Sequence, residues 1–433
     1  MTSTDEETEV DDGREDDAYL LDRKAVAAIL DAVETGNQAL LTELMEPLHA
    51  ADIADLLEQI GHAERESLIR LYDHEFDGDI LSELDESIRE DVISILAPQV
   101  LADAVRELES DDVVDLIEDL EEPQQEAILD ALAENDRLAV EQAMSYPEGS
   151  AGRLMQREVV MAPEHWNVGQ AIDYMRSNEN MPDQFYHVIL VDPRLHPVGN
   201  VTLGKLMGAR RTVALLDIKE EMFRVIPATQ DEEDVAYAFN QYHLISTPVV
   251  DDEGRLAGVI TIDDAMAVLD EEHEEDILRL AGVGDESSLS DSVAETVKRR
   301  LPWLAVNLLT AILASLVIAI FEDTLSRFVA LAVLMPIVAS MGGNAGTQSL
   351  TVAVRSLATR DLTGSNVWRV IRREVLVGLL NGLVFAVTMG VVGVIWFGSS
   401  QIGYVIAVAM VINLAVAGLA GTVIPVVMDK MGV

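Results

Sequence analysis

Four long apolar segments near the end of the chain restrict what it can fold into more than any other feature. They run over residues 301–321, 328–358, 367–397 and 402–428. A helix needs about 20 apolar residues to cross a hydrocarbon layer roughly 30 Å thick, so each segment is long enough to span a membrane. The sequence therefore predicts a polytopic α-helical membrane domain over residues 301–433, with its fourth span broken at Pro425.

The charge of the chain is divided as sharply as its hydropathy. The formal net charge is −48, yet from Lys298 onward there are ten basic and five acidic residues, which leaves 19 basic and 72 acidic residues before that point. A soluble, strongly acidic part therefore precedes the membrane part. With only five lysines, this composition favours a halophilic protein, because molar salt shortens the Debye length to about 3 Å and screens self-repulsion. No nucleic-acid partner is expected.

Basic residues near the span ends predict the orientation. Lys298, Arg299 and Arg300 precede the first span, five arginines lie between the second and third spans, and Lys430 follows the fourth. The opposite side has only Arg327. Since Lys and Arg are enriched in cytoplasmic loops, the acidic soluble part is expected in the cytoplasm. The chain has no cysteine, which excludes disulfides and thiolate metal sites.

The soluble part divides by pattern. Residues 1–18 are acidic and predict a disordered tail rather than a signal peptide. Residues 19–148 have apolar positions at spacings of three and four, which predicts an all-α superhelical N-domain, with a plain helical bundle as the alternative. Residues 149–210 and 211–275 each predict a β-α-β-β-α unit, and residues 276–300 a connecting helix.

A polar stretch lies inside the second apolar segment. It contains Gly342, Gly343, Asn344, Thr347 and Gln348, shortly after Pro336. Small residues in a membrane helix can serve close helix packing alone. Amide side chains inside a span are costly unless they face protein or a water-filled path. The stretch is therefore interpreted as the place where a polar solute or ion passes.

Two resemblances follow from these residues. The segment Gly258-Val-Ile-Thr-Ile-Asp-Asp264 fits the usual end of a CBS unit, so residues 149–275 resemble a tandem CBS (Bateman) pair of α+β fold. The first copy, Gly199 to Lys205, lacks the final Asp. The domain order, the start Arg300-Leu-Pro-Trp-Leu304 and the segment Gly342 to Gln348 are similar to the MgtE family of magnesium transporters.

The resemblance implies a homodimeric magnesium channel or transporter in the lipid bilayer of the plasma membrane, gated by cytoplasmic Mg²⁺ between acidic faces. The pore-lining positions implied are Gly342, Gly343, Asn344, Thr347 and Gln348. The metal-binding positions implied are Asp111, Asp115, Asp264, Glu272, Glu275 and Asp276. CBS pairs often bind adenine nucleotides, so ATP is a further expected ligand. The family has a fifth membrane helix that carries a pore carboxylate; we expect that carboxylate beyond residue 433 and the printed sequence to be a shortened form.

Other functions remain open on sequence alone. The residues would allow another hard divalent cation such as Co²⁺ or Mn²⁺, another solute, or a non-conducting membrane-anchored sensor. The acidic run from Asp270 to Asp276 is compatible with a solvated helix face. The sequence contains no Walker loop, aspartyl-phosphate motif or catalytic triad, so an enzyme is not expected.

Overall fold

A computed structural model describes residues 21–118, 120, 122–178, 181–182, 184–283 and 293–431, and it divides into two compact units. The soluble unit extends to Arg279 and includes Val283–Val297, and the membrane unit comprises Leu280–Gly282 and the chain from Lys298. The predicted tail over residues 1–18 and the central part of the predicted connecting helix lie outside the described residues.

The first part of the soluble unit is helical, as predicted. Short amphipathic helices alternate with tight turns and bury one apolar core that runs from Ile29 to Ala143. Pro98 stands in the first turn of its helix, where its missing N–H costs nothing. The helices are α1 Arg23–Glu34, α2 Gln38–Met45, α3 Ala50–Gln59, α4 His62–Tyr72, α5 Gly78–Ser82, α6 Glu86–Ile95, α7 Pro98–Val105, α8 Ser110–Glu118, α9 Glu122–Ala131 and α10 Glu134–Ala143, with a 3₁₀ turn over Asp73–Glu75.

Two three-stranded sheets follow, and they repeat each other in order and register. In each sheet the first strand is parallel and the third antiparallel to the central strand. The first repeat contains α11 Ala151–Leu154, β1 Met161–Pro163, α12 Val168–Ser177, β2 His187–Val191, β3 Pro197–Thr202, α13 Leu203–Gly208 and α14 Leu215–Ile218. The second contains β4 Ile226–Pro227, α15 Glu232–Tyr242, β5 Ser246–Val250, β6 Leu256–Thr261 and α16 Ile262–Ala281.

The chain that enters the first repeat packs on the second one. Ala151 and Met155 belong to the core of the second sheet, and Gln156 exchanges two backbone hydrogen bonds with Val259, at 2.9 and 3.0 Å. Gly258 permits this approach, because a Cβ there would stand 2.6 Å from the Gln156 carbonyl oxygen. The segment after α10 therefore connects the helical N-domain directly to β6, immediately before α16.

The membrane unit contains α17 Val293–Ile320 except its first five residues, and the whole of α18 Glu322–Arg327, α19 Val329–Ala358, α20 Val367–Phe397 and α21 Ser400–Met431. Four of these helices are long and apolar enough to cross a membrane, so the predicted multidomain architecture with four apolar helices is confirmed. The predicted break at Pro425 is wrong, since α21 continues through it. Membrane helices tolerate such a proline when neighbouring protein satisfies the freed backbone groups.

Helix α21 packs along both α19 and α20 at very short range. A Cβ at Gly378 of α20 would stand 2.5 Å from the Leu414 carbonyl oxygen, and one at Gly382 would stand 2.9 Å from the Val411 Cα. Close backbone approach through small residues is the usual way in which membrane helices associate. By contrast, no residue in the apolar window of α17, all of it within the described chain, is buried.

Candidate ion sites

Carboxylates of α8 face the start of α16. Asp111 is buried, with 7% of its surface exposed, and Asp264 is half-buried. Burial raises the pKa of Asp111 well above its usual value, and the Asp264 carboxylate is the next largest cause of the rise. The structure therefore brings these two predicted residues together from separate domains.

Neighbouring acids that the sequence analysis did not single out belong to the same face. Burial first, then the Glu158 carboxylate, raises the pKa of Glu109 to about 7. Burial first, then Asp264, raises the pKa of Asp112 to about 7. The pKa of Asp264 itself is raised to about 6, chiefly by burial. Each of these shifts reports a carboxylate whose charged form is disfavoured by desolvation and by like charge.

Few positive or neutral donors offset this repulsion. Asp115 pairs with Arg89 at 2.8 Å. The Ser110 hydroxyl donates to Glu158 at 2.8 Å and accepts the Arg157 N–H, also at 2.8 Å. Ser110 therefore fastens α8 to the segment between α11 and β1. We call Glu109, Asp111, Asp112, Glu158 and Asp264 the interdomain acidic face.

Asp264 also has a local structural role. Its Oδ2 accepts the Thr261 N–H at 3.2 Å and the Thr261 hydroxyl at 2.8 Å, which caps the first turn of α16. These bonds lower the pKa of Asp264 but do not overcome the effect of burial. The carboxylate is thus held in one orientation by its own helix while it faces α8.

The other predicted acids of α16 lie elsewhere. Burial raises the pKa of Glu272, and Glu233 of α15 is the next cause. Glu272 also lies near Glu232. Burial raises the pKa of Glu232 to about 7, and repulsion from Glu271 and then Glu118 adds to that rise. Glu275 pairs with Arg279 on its own helix.

Asp276 completes the predicted metal set. Burial raises its pKa, and His273 one turn earlier opposes that rise. The six predicted metal residues therefore fall into separate small groups. Within the described part of the chain, no three His, Asp or Glu side chains converge to enclose one metal ion. Pairs such as Asp111 and Asp264 still suit Mg²⁺, because that ion keeps several waters and is commonly bound through one or two carboxylates.

The polar stretch in α19 divides between two faces of the helix. Gly343, Asn344, Thr347 and Gln348 are exposed on the single chain, and we call them the polar face of α19. Among the described residues, no atom beyond its own helix lies within 4 Å of a Cβ placed at Gly343. Thr347 donates its hydroxyl to the Gly343 carbonyl of the same helix at 3.1 Å.

Gly342 instead faces α21. A Cβ there would stand 2.4 Å from Nδ2 of Asn413, which donates to the Val338 carbonyl at 2.7 Å. The absence of a side chain at Gly342 thus leaves room for a polar bridge between α19 and α21. Asn413 was missed in the sequence analysis, although an asparagine inside the fourth apolar segment was a visible signal.

Comparison with known families matches every described domain. The family model for a divalent cation transporter, MgtE, matches residues 335–433, and that for the MgtE intracellular N domain matches residues 48–149. The CBS domain model matches residues 151–211 and 218–271, the two sheet repeats.

Curated relatives agree. A magnesium transporter MgtE from Enterococcus faecalis is 35% identical over 293 residues, which is 68% of this chain and 64% of that protein. Those from Bacillus subtilis and Thermus thermophilus are 31% and 34% identical, over 68% and 69% of this chain and 65% and 66% of theirs. The chain therefore spans just under two thirds of the length of each relative.

Solved structures resemble the soluble unit. The cytosolic domain of the Mg²⁺ channel MgtE in complex with ATP is 26% identical, with a TM-score of 0.52, over 56% of this chain and 99% of that one. The soluble part of a magnesium transporter, 24% identical over 57% of this chain and 98% of that one, with a TM-score of 0.50, shares the fold.

The fold, the domain matches and the relatives agree from the helical N-domain to the last described helix. Four apolar helices follow a soluble region, so this is a multi-pass membrane protein. By its N domain, its CBS pair and its membrane domain, the chain belongs to the MgtE family.

Proposed function

We propose that this chain forms, as a homodimer in the plasma membrane, a Mg²⁺ channel or transporter driven by the electrochemical gradient. The observation that carries the proposal is the polar face of α19, which is exposed although it lies inside a candidate span. Polar groups facing hydrocarbon are unfavourable, so this face requires a water-filled path or protein cover. The three relatives named as magnesium transporters support Mg²⁺ as the ion.

The chemistry of the polar face suits a hydrated ion. Mg²⁺ gives up its waters reluctantly and prefers oxygen ligands. The amide oxygens of Asn344 and Gln348 can bind that water shell, while Gly343 leaves room beside them. A two-fold axis beside α19 would bring two copies of the face together around one path.

Uptake of Mg²⁺ into liposomes that contain the purified chain and an enclosed Mg²⁺ dye tests the proposal. Asn344→Leu should lower uptake by about tenfold, because an apolar side chain offers the ion no oxygen. The matched control is Val333→Leu, on the same helix and also exposed, which should leave uptake unchanged. Equal uptake by Asn344→Leu and the unmodified chain would contradict the role of this face, and Co²⁺ and Mn²⁺ competition would measure selectivity.

We further propose that cytoplasmic Mg²⁺ closes the path by binding at the interdomain acidic face. Facing carboxylates such as Asp111 and Asp264 repel each other, and a divalent cation between them turns that repulsion into attraction. The ion would shift the population toward the state it binds better. Glu272, Glu275, Asp276 and the Arg89-paired Asp115 would contribute further charge around the gate.

Spin labels can report this closure, because the chain has no cysteine of its own. Labels at Glu134→Cys in α10 and Asp252→Cys after β5 stand on exposed positions of the two domains. Millimolar Mg²⁺ should narrow their distance distribution, whereas Na⁺ at equal ionic strength should not. Asp111→Asn together with Asp264→Asn should abolish the Mg²⁺ effect, while Glu75→Gln, at an exposed position of the 3₁₀ turn after α4, should leave it intact.

ATP is a second proposed ligand of the CBS pair. The cleft between the two sheets is lined partly by Phe185, Tyr186 and His187 of the first repeat. It is nearly closed here, with a volume of about 10 Å³, and the His187 Nδ1 and Ser246 Oγ lie 2.6 Å apart across it. Titration calorimetry with ATP should detect binding that Tyr186→Ala weakens. No heat of binding at millimolar ATP would contradict an ATP site in the CBS pair.

A further inference from the structure

Glu374 is the only Asp or Glu inside the four candidate spans, every residue of which the structure describes. It lies two turns into α20, about 10 Å along the helix from Val367. An ionisable side chain inside a candidate span is costly to keep, and its usual justification is a functional site with an identifiable partner.

The partner is a neutral hydroxyl. Ser349 of α19 is buried and donates its hydroxyl to Glu374 Oε2 at 3.0 Å. Ser349 directly follows Gln348, the last residue of the polar face. Seven residues, about two helical turns, separate Gly342 from Ser349, so the carboxylate stands at the face of α19 that packs on α21, toward the end of that helix that leads to Ala358.

Helix α21 packs against the same two residues, Glu374 and Ser349. A Cβ at Gly418 of α21 would stand 2.8 Å from the Glu374 carbonyl oxygen, and one at Gly421 would stand 3.0 Å from the Ser349 Cβ. Helices α19, α20 and α21 therefore converge around Glu374 and Ser349. The carboxylate is half-buried among protein rather than turned freely to lipid.

Two arginines are close to Glu374 in sequence, but within the described residues neither forms an ion pair with it. Arg372 and Arg373 immediately precede Glu374, and both are exposed. Within the described residues, no ion pair joins Glu374 to a lysine or arginine, and its hydrogen bond is to Ser349. A half-buried carboxylate whose neighbour is a hydroxyl has an unbalanced charge, and it lowers its energy by binding a mobile cation.

We propose that Glu374 and Ser349 form a cation-binding site between α19 and α20, toward the Ala358 end of α19, where a hydrated divalent cation contacts the Glu374 carboxylate. A carboxylate and a hydroxyl are both oxygen ligands that Mg²⁺ accepts while it keeps most of its waters. This site rests on the proposed function for its role in transport, but its occupancy is testable without transport. The alternative is that Glu374 only ties α19 to α20 through Ser349.

The first experiment is carbodiimide labelling of the whole chain in detergent micelles. A hydrophobic carbodiimide modifies carboxyl groups in apolar surroundings, and mass spectrometry reads the modification at Glu374. Mg²⁺ should lower labelling of Glu374 several-fold, whereas Na⁺ at the same ionic strength should not. Ser349→Ala should shift the protecting Mg²⁺ concentration upward by about threefold, since one ligand is lost. Equal labelling with and without Mg²⁺ would overturn the site.

The second experiment separates charge from structure. Glu374→Gln keeps an oxygen that accepts from Ser349 but removes the charge. It should leave the melting temperature unchanged and raise the Mg²⁺ concentration for half-maximal uptake by about tenfold. Glu322→Gln, an exposed acid of α18, is the control and should change neither.

The outcomes remain distinguishable from those of the proposed function. Uptake by the unmodified chain without Mg²⁺ protection of Glu374 rejects this site and keeps transport. Protection without any uptake keeps the site and rejects transport. A Glu374→Gln chain that loses thermal stability as Ser349→Ala does, with an unchanged uptake curve, assigns the pair to helix packing and overturns the inference.

Discussion

The two units hold their elements together in opposite ways. In the soluble unit, α8 meets α16 through half-buried carboxylates with raised pKa values. In the membrane unit, α20 meets α21 through glycines that lie against bare backbone. The first contact depends on what neutralises its charge, and the second does not. The contact that we propose responds to an ion thus differs, residue by residue, from the contact between packed membrane helices.

The largest expected effect is at the glycine contact. Gly378→Ala places a Cβ 2.5 Å from the Leu414 carbonyl oxygen, so the helices must separate, at a cost of about 3 kcal/mol. The melting temperature in detergent should fall clearly and should be insensitive to Mg²⁺. Gly343→Ala, which meets open space, is the control and should be neutral or slightly stabilising. A Gly378→Ala chain that melts like the original would refute the rigid contact.

A smaller effect is expected at Arg153, whose guanidinium neutralises an acid at the end of α8. Arg153 pairs with Glu118 and donates its Nε–H to the Tyr146 carbonyl at 3.0 Å. Arg153→Met leaves Glu118 beside Glu232, and we expect a loss of about 2 kcal/mol. Faster hydrogen exchange in α8 would measure it. Arg137→Met removes exposed ion pairs only and should cost less than about 0.5 kcal/mol; similar losses in both variants would contradict the distinction.

The smallest effect for a single residue is the pH dependence of the acidic contact. The folded pKa values of Glu109 and Asp112 are about 7 and that of Asp264 about 6, all above their ordinary values. Between the ordinary carboxylate pKa values and these raised folded pKa values, the folded state binds more protons than the unfolded state. Stability therefore falls as pH rises through the folded pKa values. From about pH 6 to about pH 8 at low Mg²⁺, each of the two groups with a folded pKa of about 7 should contribute a loss on the order of 1 kcal/mol.

Urea unfolding at both pH values would measure that loss, with amide hydrogen exchange in α8 as the readout. Millimolar Mg²⁺ should remove most of it, since the ion replaces the proton as the neutralising charge. Stability that rises with pH over this range would contradict the prediction. The glycine contact of α20 and α21 should show no such dependence, which sharpens the comparison.

Patterns that repeat along the chain were predictable, and pairings between distant residues were not. The spans, the two sheet repeats and the helical N-domain follow from apolar periodicity, which is a local property. Asp111 and Asp264 were identified through family resemblance. Glu109 and Asp112 were missed because 72 acids precede the membrane part and nothing in their own spacing marks which become buried.

Ser110 and Gly342 illustrate the same limit. Gly342 was predicted as a pore position, whereas no partner of Ser110 was predicted from sequence. In the fold, Ser110 bonds Glu158, 48 residues away. Gly342 lies against Asn413. Tertiary contacts of this kind override local preference, and they have no signature until the elements are placed.

The turn between α20 and α21 has a consequence for how the membrane unit is made. Only Gly398 and Ser399 separate the two helices, with Gly398 in the left-handed conformation at φ 64°. Such a short loop costs little entropy to close, so the paired helices can form as one hairpin soon after both have left the ribosome. Helix α19 is synthesised earlier but must wait for α21 to supply Asn413. We therefore expect the order of assembly to run against the order of synthesis.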